Sequence, residues 1–184
     1  HWAAVRGGVM ALHIGAGGDR IEVLNVDPTW LGDRVTVFFS GMRHHSGMVN
    51  WQVIRRRLDG DKGTREAFAE IAEAARICRT GLIEADEDAV ASAILSEWKA
   101  RRRLGSDVST PELDALVHVA RDAGGTAVKA CGAGGGGSIV VWHPPGTRDG
   151  IVGALEEASQ GGGYLLASGA APRGCRIVEA SPGS

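Results

Sequence analysis

The chain has 184 residues, 43% of them hydrophobic and 23% charged, with a formal net charge of −2; that length suits one domain, or one domain with a piece of another, and a core that needs no covalent staple. The near-neutral balance gives no general electrostatic attraction to nucleic acid or to an anionic membrane, and apolar runs of six residues or fewer are too short to span a bilayer. Cys78, Cys131 and Cys175 are an odd, widely spaced set, which argues against a disulfide framework or a zinc site and fits a reducing cytoplasm.

The opening His1-Trp2-Ala3-Ala4-Val5-Arg6 lacks the charged-then-apolar order of a signal peptide, and its first residue is not Met. The expectation is a chain that starts partway through a longer one. A helix end comes first, then two strand-like runs at 9–14 and 21–26, joined by Gly15-Ala16-Gly17-Gly18-Asp19-Arg20 as a hairpin loop. Val35-Thr36-Val37-Phe38-Phe39-Ser40 reads as a buried strand, which Gly41 breaks before a polar turn at 42–47.

Four helices are expected next. The first covers 48–58. The second, 62–79, sets Phe68, Ile71, Ala72, Ala75 and Cys78 on one stripe. The third, 87–104, is capped by Asp86 and buries Ala91, Ile94, Leu95 and Trp98. The fourth starts at a Ser109 or Thr110 cap with Pro111 in its first turn, buries Leu113, Leu116, Val117 and Ala120, and stops at Gly124-Gly125. The period then changes. Strands are expected at 126–131 and 138–143, a helix at 148–159, a short strand at 175–180 and a loose tail after it. From Val35 onward the order is strand, helices, strand, strand, helix, strand. That is the split βαβ pattern of a ferredoxin-like α+β domain with helices inserted after its first strand.

Gly132-Ala133-Gly134-Gly135-Gly136-Gly137 satisfies the letters of the G-x-G-x-x-G dinucleotide fingerprint. Its context does not fit, because a strand follows where that fingerprint needs a helix N-terminus. No Gly-Lys-Ser/Thr follows either, so it is not a Walker loop. Two readings remain for glycines between strands: a hairpin needing left-handed torsions or close packing, or bare amides forming an anion nest. Arg43, in a polar turn after a strand, suits a substrate contact or plain solvation. Ser46 is a weaker candidate. His44 and His45 point to opposite sides of an extended chain and do not easily share a metal; no metal ligands are assigned. The runs Arg55-Arg56-Arg57 and Arg101-Arg102-Arg103 fan around helices and read as surface. Trp98 reads as core, and Glu97 as exposed or facing a cleft. Lys129 reads as a phosphate ligand or a strand-edge cation, and Cys131 as a small packed residue.

The segment Lys129-Ala130-Cys131-Gly132-Ala133-Gly134-Gly135-Gly136-Gly137, followed by a strand, resembles the third conserved motif of the GHMP kinases. Leu95-Ser96-Glu97-Trp98-Lys99, Arg103-Leu104 and Val108-Ser109-Thr110-Pro111-Glu112-Leu113-Asp114 are similar to the heptose-phosphate branch of that family. So is Val37-Phe38-Phe39-Ser40-Gly41-Met42-Arg43, although His44-His45 intrude and only Ser46 remains of the serines. Ala3-Ala4-Val5-Arg6-Gly7-Gly8 resembles the stretch just after the family's catalytic aspartate.

The resemblance implies a division into residues 1–30, the end of an N-terminal ATP-binding lobe, and 31–180, the C-terminal domain. It places Gly132, Ala133, Gly134, Gly135, Gly136, Gly137 and Lys129 on the cofactor side, and Gly41, Arg43 and Ser46 on the substrate side. It implies ATP and Mg2+ in the complete enzyme, with the phosphate-wrapping loop and the catalytic aspartate upstream of His1, so that these residues alone would not turn over ATP. The implied activity is phosphorylation of a sugar or sugar-phosphate hydroxyl, heptose 7-phosphate first, in the cytoplasm. The partner expectations are that small-molecule sugar phosphate, the missing N-terminal lobe and a homodimer, with neither nucleic acid nor membrane. The alternatives are a kinase of the same family for a hexose, a fucose-like sugar or a mevalonate-like alcohol, and a non-catalytic ferredoxin-like binding module or degenerate kinase.

Overall fold

The structure is a computed structural model that describes residues 2–42, 47–132, 134–167 and 169–175. A short helix α1 (Trp2–Arg6) leads into the antiparallel hairpin of β1 (Val9–His13) and β2 (Arg20–Leu24), in register from Val9↔Leu24 to His13↔Arg20. Helix α2 (Pro28–Gly32), which the periodicity does not announce, is one turn capped by the Asp27 carboxylate, with proline in its first turn. Strand β3 (Val35–Phe39) follows.

Helices α3 (Gly47–Leu58), α4 (Lys62–Glu84) and α5 (Glu87–Arg102) form the inserted layer. Asp61 caps α4 through the Thr64 amide, and Asp86 caps α5 through the Ala89 amide. Helix α4 runs one turn past the expected end. Its buried positions are Thr64, Ala67, Ala74 and Gly81, so the stripe is rotated from the expected one and Phe68, Ala72 and Ala75 are exposed. Gly81 lies in the added stretch, where a Cβ would press on Val90 of α5 at 3.0 Å. The close approach of the two helices therefore favours glycine inside α4 and lets the helix continue through it.

A 3-10 turn, Ser106–Val108, precedes α6 (Pro111–Asp122), whose Thr110 cap and four buried residues match the expectation. Strands β4 (Ala127–Ala130) and β5 (Ser138–Trp142) flank the glycine loop, and α7 (Arg148–Ala158) follows. The last strand, β6 (Tyr164–Leu165), lies earlier than expected and pairs with Phe38 and Phe39. Cys175, where the last strand was expected to start, is irregular, and residues 176–180 lie outside the described residues.

The main sheet is antiparallel with order β4-β5-β3-β6. The first and third strands of the unit lie side by side at its centre, as the split βαβ reading requires. Alternation gives the sheet two faces. On one, Phe38, Val128, Ala130, Ile139 and Val141 pack with α6 and α7 through Leu113, Leu116, Ile151 and Leu155. On the other, Val35, Ala127 and Trp142 meet α5 at Val90 and Ala91, with Trp30 of α2 5.6 Å from Trp142 between ring centroids.

Candidate functional site

The glycine loop lies at the end of the sheet where β3 finishes, and its backbone torsions require glycine. Five of its residues have positive φ: Gly132 at 67°, Gly134 at 88°, Gly135 at 75°, Gly136 at 126° and Gly137 at 79°. Gly134 also rests so close to the 3-10 turn that a Cβ would collide with the Val108 carbonyl. Gly135 donates its amide to that same carbonyl at 2.9 Å. At the loop's exit, the Gly137 carbonyl accepts the Ser40 amide at 2.8 Å and the Ser40 hydroxyl at 2.6 Å, while the Gly137 amide donates to Met42 O at 3.2 Å. Ala133 lies outside the described residues.

These bonds bear on both readings of the loop. Left-handed torsions and close backbone packing are present. As an anion nest the loop is incomplete, because the Gly135 and Gly137 amides already have carbonyl partners. Gly132, by contrast, is exposed, and a Cβ there would meet nothing within 4 Å. The loop is therefore pinned from two sides, against the 3-10 turn and against the end of β3, and is open at Gly132. The described residues do not by themselves complete a site for a nucleotide triphosphate.

Lys129 points from β4 towards α5, where its ammonium lies 2.5 Å from Glu97 Oε2. Arg101 donates from Nε to Oε1 of the same carboxylate at 2.5 Å. Glu97 is nearly buried, so an anion there needs such partners. Two cations on one carboxylate leave the group with a net positive charge at the root of the loop. Cys131 comes just after β4, and burial pushes its thiol pKa up, with nearby Lys129 opposing the shift; the Cys78 thiol is raised for the same reason. Both are protonated packing residues at neutral pH.

The turn after β3 is described only in part. Gly41, at φ 80°, lies against the chain that follows α7, and a Cβ would come within 2.6 Å of the Gly162 backbone. Its glycine is explained by that packing. Arg43, His44, His45 and Ser46 lie outside the described residues. The arginine runs divide among separate partners: Arg101 pairs with Glu97, Arg102 with Asp114 at 2.9 Å, Arg103 with Glu70 at 2.7 Å, and Arg56 donates to the Leu104 carbonyl. Sequence reading missed Ser40, the residue that bonds the loop's exit. It was legible as the last letter of a strand and as part of the Val37–Arg43 resemblance, but its bond was not, because the partner lies 97 positions away.

Two further features lie on the α5 side. An apolar cleft of about 340 Å3 separates the hairpin from the sheet, walled by Val9, Met10, Leu31, Val35 and Val37. Glu22 of β2 anchors the hairpin to α4, accepting from Arg79 Nε at 2.8 Å and meeting His13 Nε2 at 2.9 Å. The Arg79 hydrogen bonds, and then that of His13, hold the Glu22 pKa down at about 2. The segment after β6 returns to this region, where Gly8 N donates to Ala171 O at 2.7 Å and Cys175 N to Ala4 O at 2.8 Å. Among the described residues, no group of three or more His, Cys, Asp and Glu side chains could hold a metal ion, and no helix is long and apolar enough to cross a membrane.

Comparison with known proteins now bears on this arrangement. Residues 65–161, which include the glycine loop, match the family GHMP kinases C terminal. A protein of Arabidopsis thaliana, Probable glucuronokinase 2, is 33% identical over 122 residues, 66% of this chain and 32% of that protein. The mevalonate kinase of Methanothermobacter thermautotrophicus is 54% identical over 48 residues, 26% of this chain and 16% of that protein. Among solved structures, L. major mevalonate kinase in complex with R-mevalonate superposes with a TM-score of 0.74 at 17% identity, over 92% of this chain and 51% of that one. A D-glycero-D-manno-heptose 1-phosphate kinase from Bacteriodes thetaiotaomicron gives 0.64 at 17% identity, over 97% and 48%. The chain thus spans about a third of the glucuronokinase relative and about half of each of these two solved kinases. With its α+β fold, its strand order and its glycine loop, the chain belongs to the GHMP kinases, through that family's C-terminal domain.

Proposed function

We propose that this chain is the C-terminal half of an ATP-dependent kinase that phosphorylates a hydroxyl on an anionic sugar or related alcohol. The observation that carries the reading is the family match across residues 65–161, which places the pinned glycine loop inside a domain shared with small-molecule kinases. Residues 1–30 are then the end of an ATP-binding lobe, and residues 31–180 the C-terminal domain. The nucleotide's phosphates and Mg2+ would be held mainly by that lobe. Within this chain the loop contributes support from beneath, with open Gly132 and the net positive charge of the Lys129, Glu97 and Arg101 group nearby. Phosphoryl transfer depends on positioning and on stabilising spread negative charge, and a rigid loop with a cationic root suits both.

The substrate class follows from the relatives. Glucuronate and mevalonate, after which the sequence relatives are named, both carry a carboxylate beside the hydroxyls, and a heptose phosphate carries a phosphate. A cation on the substrate side would serve all three, and Arg43 is the residue assigned to it. Heptose 7-phosphate is the substrate to which the 37–43 and α5–α6 segments correspond by resemblance; glucuronate is favoured by the 122-residue match to Probable glucuronokinase 2 at 33% identity. The test is ADP release by the longest product of this gene with heptose 7-phosphate, glucuronate, mevalonate and a neutral hexose. Turnover with one of the anionic alcohols supports the proposal and names the branch. Preference for the neutral hexose removes the anionic requirement, and silence on all four from folded protein overturns the kinase reading.

A further inference from the structure

The glycine loop and the Gly41-Met42 segment after β3 are far apart in sequence, yet one side chain bonds both. Ser40 sits between β3 and Gly41 and is 5% exposed, so water cannot readily replace its partners. A serine hydroxyl has one proton to give and lone pairs to receive. Here the proton goes to Gly137 O at 2.6 Å, and the oxygen accepts the Met42 amide at 3.2 Å. The backbone closes the circuit, with Ser40 N donating to Gly137 O at 2.8 Å and Gly137 N to Met42 O at 3.2 Å. Gly137 and Gly41 supply the two positive torsions, 79° and 80°, that let the chains come together in this way.

Resting on the kinase reading above, we infer that Ser40 is a positioning residue that locks the nucleotide-side glycine loop to Gly41-Met42, on the substrate side, as one hydrogen-bonded unit. Ser40 touches neither reactant. Its hydroxyl fixes the exit of the loop relative to Met42, two residues on in the segment that follows β3. The loop's other anchor, Gly135 to the Val108 carbonyl, holds it to the 3-10 turn and does not involve the substrate side. Loss of the Ser40 hydroxyl therefore leaves only the two backbone bonds and loosens the loop's exit and Met42 together. A phosphoryl donor and an acceptor hydroxyl held on two uncoupled segments would lose alignment, and both apparent affinities would suffer.

The experiment uses the longest product of the gene, with Ser40→Ala, Ser40→Thr and, as a control, Thr36→Val. Thr36 is on the same strand and its hydroxyl bonds buried His143 at 2.9 Å, so its loss removes a comparable buried hydrogen bond at the far end of β3. In Ser40→Ala, which removes both bonds of the hydroxyl, amide exchange at Gly137 and at Met42 should each quicken by about fivefold or more. The KM values for ATP and for the alcohol should both rise by about five- to tenfold, with a fall in kcat. Ser40→Thr should recover most of each change, and Thr36→Val should lower stability without moving either KM. Unchanged exchange at Gly137 in Ser40→Ala would overturn the lock. Faster exchange with only one KM altered, or equal KM changes in Thr36→Val, would overturn the coupling. If the unmutated protein phosphorylates nothing, the kinase reading fails, and exchange alone then decides whether the lock exists.

Discussion

The two faces of the central sheet are built to different standards. Towards α6 and α7, Phe38, Ile139, Val141, Leu113, Ile151 and Leu155 are completely buried. Towards α5 and the hairpin, half-buried Val35 and Val37 line an open cleft, Lys129 pairs with Glu97 of α5, and Trp142 meets Trp30 of α2. The adjacent residues Phe38 and Val37 divide between them, since strand side chains alternate. The tight face carries the stability of the domain, and the looser one carries the charges and space that a functional surface needs.

The strongest way to break that contrast is truncation on each side. Phe38→Ala should lower unfolding free energy by about 4 kcal/mol and Val37→Ala by about 1 kcal/mol, measured by urea denaturation. Equal losses would mean that the cleft face is packed after all. The next effect belongs to the loop between the faces. Gly134→Ala must place a Cβ against the Val108 carbonyl at a φ of 88°, at a cost of about 2 kcal/mol. It should also quicken exchange of the Gly135 amide. A neutral result would show that the loop can lift off the 3-10 turn.

A smaller test concerns acid. His143 is buried at the end of β5, its Nδ1–H donating to Pro144 O at 2.9 Å and its Nε2 accepting from Thr36. Burial holds its pKa below the ordinary 6.5, with a lesser contribution from Arg148 in the same direction. The folded imidazole thus stays neutral where the unfolded one takes up a proton. Stability is full above pH 6.5 and is lost as pH falls below that value towards the folded pKa. His143→Gln should flatten the slope of the urea midpoint in that window, and an unchanged slope would assign it to other groups.

The smallest effect lies in the hairpin. The Glu22 carboxylate, held at about 2 by Arg79 and His13, contributes above its ordinary 4.5 and loses that contribution as pH falls towards 2. Because the pair is open to solvent, Glu22→Gln should leave the global urea midpoint in place. It should quicken amide exchange in β1 alone. A shift of the whole transition would make the hairpin part of the cooperative core.

Much of this architecture was legible where local chemistry and tertiary packing agree. Thr110, Pro111 and Gly124-Gly125 punctuate α6, and the helix buries the four residues its period selects. Helix α4 runs on to Glu84, past the expected end at Arg79, with Gly81 packed closely on α5. Strand β6 has two exposed residues and no pattern of its own; only pairing with Phe38 and Phe39 makes it a strand. At the candidate site, the glycine loop was visible as a string, but its anchors were not. Glu97 and Lys129, or Ser40 and Gly137, meet only because the sheet brings distant segments together, and no periodicity reports such pairs.

The strand order also sets a timetable. Strand β3 sits at the centre of the sheet, yet both neighbours, β5 and β6, are encoded about a hundred residues or more downstream. On a ribosome adding about 5–20 residues each second, Val35 to Phe39 would wait roughly 5–20 s for a first partner. During that interval α4 and α5 can already pair with each other, since they are consecutive in the chain. The helical insertion is therefore the earliest assembly available to the nascent domain. Phe38, completely covered in the finished fold, must wait for α6, the first of the helices it packs against to be made.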